Sequence, residues 1–257
     1  MKNIMFLFLT WSYTILMGQD SGAFKTGELI KFRVHYGLVN AGYATLEIKE
    51  TVKNNKNVYH VIGKGYTTGV TKVFFKVEDN YESFFDKTTG RPYQSIRKIN
   101  EGGYTKDQEA FFNQNNNTVL LKDYKKNIEK TITVPQGVQD VVSCFYFLRN
   151  YPGIDQLKKG DAIEFNMFFD DEVFKFKLKY LGNEDIKTKF GKISAMIFRP
   201  SVLAGRVFKE DESLTVWVSN DKNKIPLRIK ANLAVGSLKA DLEEYKGLKY
   251  PFIQKQE

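Results

Sequence analysis

The chain reads as an all-β protein: one strongly curved antiparallel sheet, a barrel or half-barrel of about 13 strands, with a single amphipathic helix packed on it. Three observations predict this. Between Leu214 and Tyr245, apolar and polar residues alternate with a period of two through three runs separated by two turn signals. Turn-forming clusters recur about every ten residues over most of the chain, the rhythm of a meandering sheet. One stretch, Gln136 to Asn150, switches to helical spacing, with Val138, Val141, Val142, Phe145 and Leu148 three and four apart before Pro152-Gly153 ends it.

In order, Ile30, Phe32, Val34 and Tyr36 alternate with Lys31, Arg33 and His35 in a first strand, and Gly37 to Gly42 reads as the turn into a second. The Asn54 to Asn57 tip opens a third strand, Val58 to Tyr66, because asparagine tolerates positive φ. Thr67 to Lys76 holds a short helical turn or loop. Five further strands are expected at Val77–Phe85, Pro92–Glu101, Tyr104–Asn113, Thr118–Tyr124 and Asn127–Val134. After the helix come strands at Ala162–Phe169, Glu172–Leu181 and Lys192–Arg199, with Asp170-Asp171 and Gly182-Asn183 as turns. In the second of these, Phe174, Phe176, Leu178 and Tyr180 oppose Lys175, Lys177 and Lys179, so one face is buried and the other wet. Ser201–Glu212 is a loop. Pro226, which cannot donate to a ladder, stands at a strand's start, where it is tolerated.

Lys2 followed by an apolar run from Ile4 to Met17, ending near Gly18-Gln19, fits a secretory signal peptide over residues 1–18. Thr10, Ser12 and Thr14 interrupt the run, which is short for a membrane span. The mature chain, 19–257, is therefore expected to be exported to the periplasm, the outer membrane or beyond, as a single β-rich domain with a subdivision near 135–159 as the alternative. Cys144 is the sole cysteine, so no internal disulfide forms and stability rests on the core. The net charge of +9 suits an anionic envelope component, while charges alternating along strands disfavour nucleic acid.

Two segments carry a resemblance. AFKTGELIKFRVHYGLVNAGYATLEI, Ala23 to Ile48, has a Phe-x-x-Gly-Glu start leading to Tyr-Gly-x-x-x-Ala-Gly. VWVSNDKNKIPLRIKANLAVGSLKADL has a Trp, an Asp-containing turn, an Ile-Pro and a Gly-Ser. Both resemble the exported bacterial family called domain of unknown function 3108. The resemblance implies an envelope location and an all-β fold, and names no chemistry. The shape is also similar to periplasmic lipid and lipoprotein carriers, an analogy of fold only.

Chemistry is sparse. Two histidines, His35 and His60, lie on different strands, so neither a three-histidine metal site nor any cofactor is expected. No Gly-x-Ser-x-Gly elbow and no phosphate-binding glycine loop ahead of a helix occurs. Of the aromatic excess, 21 Phe and 14 Tyr, most are expected in the core, since each buries a large apolar area in a disulfide-free domain, and a subset to line a cavity. Tyr81, Phe85, Tyr93, Arg97 and Tyr104, on neighbouring strands, are the candidate ligand contacts, with Arg97 placed to hold a carboxylate or phosphate headgroup. The expectation is a non-enzymatic, exported envelope protein sheltering an apolar, lipid-like ligand or acylated partner. The alternatives are an envelope interaction or assembly module with a packed core and, third, an enzyme acting on glycan.

Overall fold

The structure is a computed structural model that describes residues 22–53, 55–202 and 214–252. The expected signal peptide and most of the expected loop 201–212 lie outside the described residues. Fourteen strands form one antiparallel sheet: β1 (Leu29–Tyr36), β2 (Val39–Lys53), β3 (Lys56–Thr67), β4 (Glu78–Asp86), β5 (Pro92–Glu101), β6 (Tyr104–Asn113), β7 (Thr118–Asp123), β8 (Ile128–Thr133), β9 (Ala162–Phe169), β10 (Glu172–Thr188), β11 (Gly191–Val202), β12 (Leu214–Ser219), β13 (Pro226–Asn232) and β14 (Ser237–Lys246). Helix α1 is Gly69–Phe74 and α2 is Ser143–Arg149.

The strand order is β8-β7-β6-β5-β4-β3-β2-β1-β14-β13-β12-β11-β10-β9. Two meanders are thus joined where the first strand pairs with the last, and the free edges are β8 and β9. Those edges do not share a ladder. Instead the chain after β8 turns along β9: Gln139 N–H donates to Asn166 O at 2.9 Å and Phe168 N–H donates to Gln139 O at 2.8 Å. Side chains finish the seam. Phe112 meets Phe168 edge-to-face at 6.0 Å, Lys130 Nζ bonds Asp171 at 2.6 Å, and Arg97 and Lys106 both bond Asp170. Ala110, Val119, Leu121, Val134 and Val138 complete the apolar part. The result is an open sheet curved until its ends meet, which solves the edge-strand problem without ladder closure.

The meander gives the structure two ends. At the base lie residues 22–28, the β2–β3, β4–β5 and β12–β13 turns, and the segment after β14. At the rim lie the β1–β2, β5–β6, β7–β8, β9–β10 and β13–β14 turns, with α1 between β3 and β4. Large exposed apolar side chains sit at the rim, with Val52 the exception among the described residues.

Three expectations are corrected. The predicted helix is halved, because Gln139 gives both its backbone groups to β9 and only Ser143–Arg149 coils; pairing with a sheet edge overrides the periodic pattern. Gly182 is not a turn. It sits at φ 117° in a bulge inside β10, and the reversal comes between Thr188 and Gly191. Gly42 belongs to β2, the turn being Gly37-Leu38. The reason for a glycine there is proximity, since a Cβ would lie 2.1 Å from Tyr66 O.

The seam supplies a pH test. Burial raises the Asp170 carboxyl, but hydrogen bonds from Lys106 and Arg97 outweigh it and leave the group below its ordinary value. A depressed folded-state value means the stabilisation is present above the unfolded value, about 3.9, and is lost as pH falls through the lower folded one. Urea midpoints should therefore fall as pH drops from about 5 to about 2.5, and the fall should be shallower in Asp170→Asn. Parallel curves for the two proteins would show that the seam ion pairs do not operate.

Candidate functional site: an apolar cavity under the helix

Helix α2 lies against the sheet as a short plug, and its placement is fixed at both ends. At its start, Asp140 Oδ1 accepts from Val142 N–H at 2.7 Å and Ser143 N–H at 2.8 Å, and Ser83 Oγ–H of β4 donates to Oδ2 at 2.6 Å. Asp140 satisfies the first helical amides as a capping side chain does. Burial pushes its carboxyl above the ordinary value despite these bonds.

At its end, Arg149 meets Glu28 in a bidentate pair, Nη1 to Oε1 at 2.5 Å and Nη2 to Oε2 at 2.8 Å. Glu28 is 0% and Arg149 4% exposed. The guanidinium also donates Nε–H to Asn223 O at 3.0 Å and Nη2–H to Ala23 O at 3.3 Å, so four of its five N–H groups have partners. Asn223 belongs to the β12–β13 turn, which Asp221 holds: its Oδ1 accepts from Ser219 Oγ–H at 2.7 Å and Asn223 N–H at 3.0 Å. The two sequence motifs thus meet at the base, where Phe24 and Glu28 of one and Asn223 of the other contact Arg149. Gly27 turns the chain there with φ 89°.

One side of α2 packs on β2 to β4. Tyr146 touches Phe24 at 4.8 Å and Phe85 at 5.6 Å between ring centroids, with Tyr59, Val61 and Ile48 in the same cluster. The opposite side faces a cavity of about 440 Å³. Val141, Cys144, Phe145 and Leu148 of the helix segment line it, facing Phe165, Met167 and Phe169 of β9, Phe176 and Leu178 of β10, Phe198 and Pro200 of β11, Leu214, Val216 and Val218 of β12, and Pro226 and Ile229 of β13. Every second residue of β9 and of β12 points in, as strand geometry requires. Arg149 and Lys224 are the charged groups on the lining. Both are occupied, Lys224 Nζ bonding Asp221 O and Asp155 Oδ1 at 2.6 Å each. The volume is in the range of small-ligand sites, and nothing in the lining asks for a polar ligand body. Burial raises the Cys144 thiol, so it stays protonated, and its Sγ–H donates to Val141 O at 3.1 Å.

The candidates Tyr81, Phe85, Tyr93, Arg97 and Tyr104 are not gathered at this cavity. Tyr81 and Arg97 pair across β4 and β5, the guanidinium 5.5 Å from the Tyr81 ring and 4.1 Å from that of Phe169. They border a space of only about 20 Å³, enough for one water. The carboxylate Arg97 holds is the chain's own Asp170. Phe85 is core, Tyr93 Oη–H donates to Asp86 at 2.9 Å in the β4–β5 turn, and Tyr104 is exposed at the rim. His35 bonds Asp241 at 2.8 Å, and His60 bonds Glu82 at 2.6 Å while stacking on Phe84. No group of three His, Cys, Asp or Glu among the described residues is placed to hold a metal.

Fold and site together define an open β-barrel-like protein with an apolar chamber beneath a short helix. The chain belongs to the family of proteins of unknown function DUF3108, whose model matches residues 31–243. Among solved structures it is similar to a beta-barrel-like protein of domain of unknown function DUF1849 from Brucella abortus, with a TM-score of 0.58 at 11% identity over 88% of this chain and 99% of that one. A DUF1089 family protein from Pseudomonas aeruginosa also matches, with a TM-score of 0.37 at 10% identity over 82% of this chain and 92% of that one. No curated protein gives a significant match. The first likeness supports the barrel-like fold, and the fold alone.

Truncating one partner of the buried pair leaves the other charged and unmatched, so Arg149→Met should lower unfolding free energy by roughly 3–5 kcal/mol. The double variant Glu28→Leu with Arg149→Met should recover most of that loss in denaturant titrations. A single variant as stable as the parent would mean the pair does not hold the helix.

Proposed function

We propose that this protein is a non-enzymatic carrier or shelter for an apolar, lipid-like molecule of the bacterial cell envelope. The observation that carries the reading is the 440 Å³ cavity with an almost wholly apolar lining, kept open between α2 and strands β9 to β13. A well-packed interior has few voids larger than a water, and an unfilled chamber of this size forfeits contact energy that a ligand would supply. An envelope assembly module with a packed core would need no such chamber. The glycan-acting alternative asks for carboxylates converging in a groove. Asp79 and Glu101 do sit together, where burial and then Asp79 raise the Glu101 carboxyl, but neither lines the cavity. Export supports the envelope setting through the apolar run behind Lys2.

Delipidated protein mixed with an envelope lipid extract should show bound mass in native mass spectrometry. Val218→Trp and Leu148→Trp, which fill the chamber, should reduce that mass at least tenfold, by the size-exclusion logic of close-packed cavities, while far-ultraviolet circular dichroism stays unchanged. Bare parent protein after repeated mixing, or equal loading of the filled variants, would defeat the proposal.

Cys144 offers a second readout. It lines the chamber, so a saturating polyene fatty acid should slow its reaction with a thiol reagent in native protein and leave the rate in denaturant untouched. Equal native rates with and without the fatty acid would place it elsewhere.

A further inference from the structure

We infer that the rim of the barrel is a docking surface for an anionic lipid bilayer. The observation is where the large exposed apolar side chains lie. Leu38 is 102%, Phe74 84%, Val73 83%, Val235 78% and Val70 72% exposed, and all belong to rim turns or α1. A patch of this kind on a folded domain marks an interaction surface.

The turns form one continuous face. Tyr36 Oη–H donates to Val235 O at 2.9 Å, which ties the β1–β2 turn to the β13–β14 turn. Thr68 N–H donates to Ala41 O at 3.1 Å, which ties α1 to β2. Gly102 N–H donates to Lys76 O at 2.8 Å, and the Phe75 ring packs over Gly102, where a Cβ would come within 2.4 Å of it. The face therefore runs unbroken from Val235 through Leu38 and α1 to the β5–β6 turn. Among the described residues Leu38, Val70, Val73, Phe74 and Val235 all stand open to solvent, and α1 buries none of its own.

Two features favour a lipid surface over a protein partner. The apolar groups stand on separate turn tips and a six-residue helix, a corrugated outline that fluid headgroups accommodate and a rigid complementary face does not. Charge contributes as well: the α1 segment carries Lys72 and Lys76, and the β7–β8 turn carries Lys125 and Lys126 beside exposed Tyr124, while acidic groups of the same end are held by the chain's own cations, Asp170 by Arg97 and Lys106, Asp171 by Lys130 and Glu129 by Lys122. Glu78 pairs with Lys72 at 3.3 Å and Lys76 at 2.8 Å, but these pairs are half exposed and exchange readily for headgroup phosphates. Aromatic and aliphatic groups interleaved with lysines are what an anionic interface binds. The same end holds Phe169, Pro200 and Leu214, the cavity residues at the ends of β9 and β11 and the start of β12, so a docked bilayer faces that side of the chamber.

The test is co-flotation of full-length protein with vesicles of equal parts phosphatidylglycerol and phosphatidylcholine, compared with phosphatidylcholine alone. Every variant keeps the same N-terminal residues, so differences report the rim and not the apolar run 4–17. Leu38→Glu with Phe74→Glu should cut binding by at least about tenfold, and Lys125→Gln with Lys126→Gln about fivefold per lysine on the anionic vesicles only. Val52→Glu, at the base, should leave binding unchanged. Val218→Trp, which blocks the chamber, should also bind vesicles normally, so failure of the rim proposal and failure of the carrier proposal are distinct results. Binding indifferent to the rim substitutions would overturn the inference. So would concentration-dependent dimerisation that Leu38→Glu with Phe74→Glu abolishes without affecting vesicle binding, because the face would then belong to a second copy.

Discussion

The rest of the structure depends on the buried contact between Glu28 and Arg149. Two opposite charges removed from water at the base gain little net energy over a hydrophobic replacement, because desolvation offsets most of the attraction. What the pair fixes is position. Glu28 immediately precedes β1, Arg149 ends α2, and Asn223 sits in the turn between β12 and β13. One guanidinium therefore relates the sheet's central pairing, β1 against β14, to the plug and to the far strands. Three aromatic rings, Phe24, Phe145 and Tyr146, surround that guanidinium within 5.2–5.6 Å and keep water from competing for it.

From that anchor the chamber follows. With its two ends held by Asp140 and Arg149, α2 cannot slide toward β9 to β13 to fill the gap. Its aromatic side is already committed to Phe24, Tyr59 and Phe85, leaving Cys144 and Leu148 to face open space. The seam works to the same end. The sheet closes there through Gln139, Phe168 and the Asp170 cluster and not through a ladder, which holds β9 in place as one wall of the chamber. A preformed apolar space spares a ligand the cost of opening one.

Much of this was legible in the residues, and unevenly so. Period-two alternation located the strands because half-buried sheets impose it: Phe176 and Leu178 line the chamber, as the two-faced pattern with Lys175, Lys177 and Lys179 implies. The same period-two pattern runs on to Leu233, which lies past the end of β13 in the rim turn and is 52% exposed. The helix was overextended for a related reason: Val138 keeps helical spacing but packs with Phe168 across the seam. Arg97, expected to hold the headgroup of a ligand, binds the chain's own Asp170, 73 residues away, a fact of closure that spacing does not encode. The chamber itself left no local signal, since its lining comes from five strands and a helix and each contributes ordinary core residues. The motif residues Phe24 and Glu28 did stand out, and their convergence on Arg149 gives them a physical reason.

The claim on which the account turns is that the space between α2 and β9 to β13 is a ligand chamber. A crystal structure of the protein soaked with a bromine-labelled fatty acid addresses it directly, because anomalous scattering locates the bromine independently of the protein's own density. The account predicts a bromine peak within the chamber, in contact with residues such as Phe165, Leu148 and Val216. Bromine found only on the outer surface, with the chamber empty or closed by movement of α2, would contradict it.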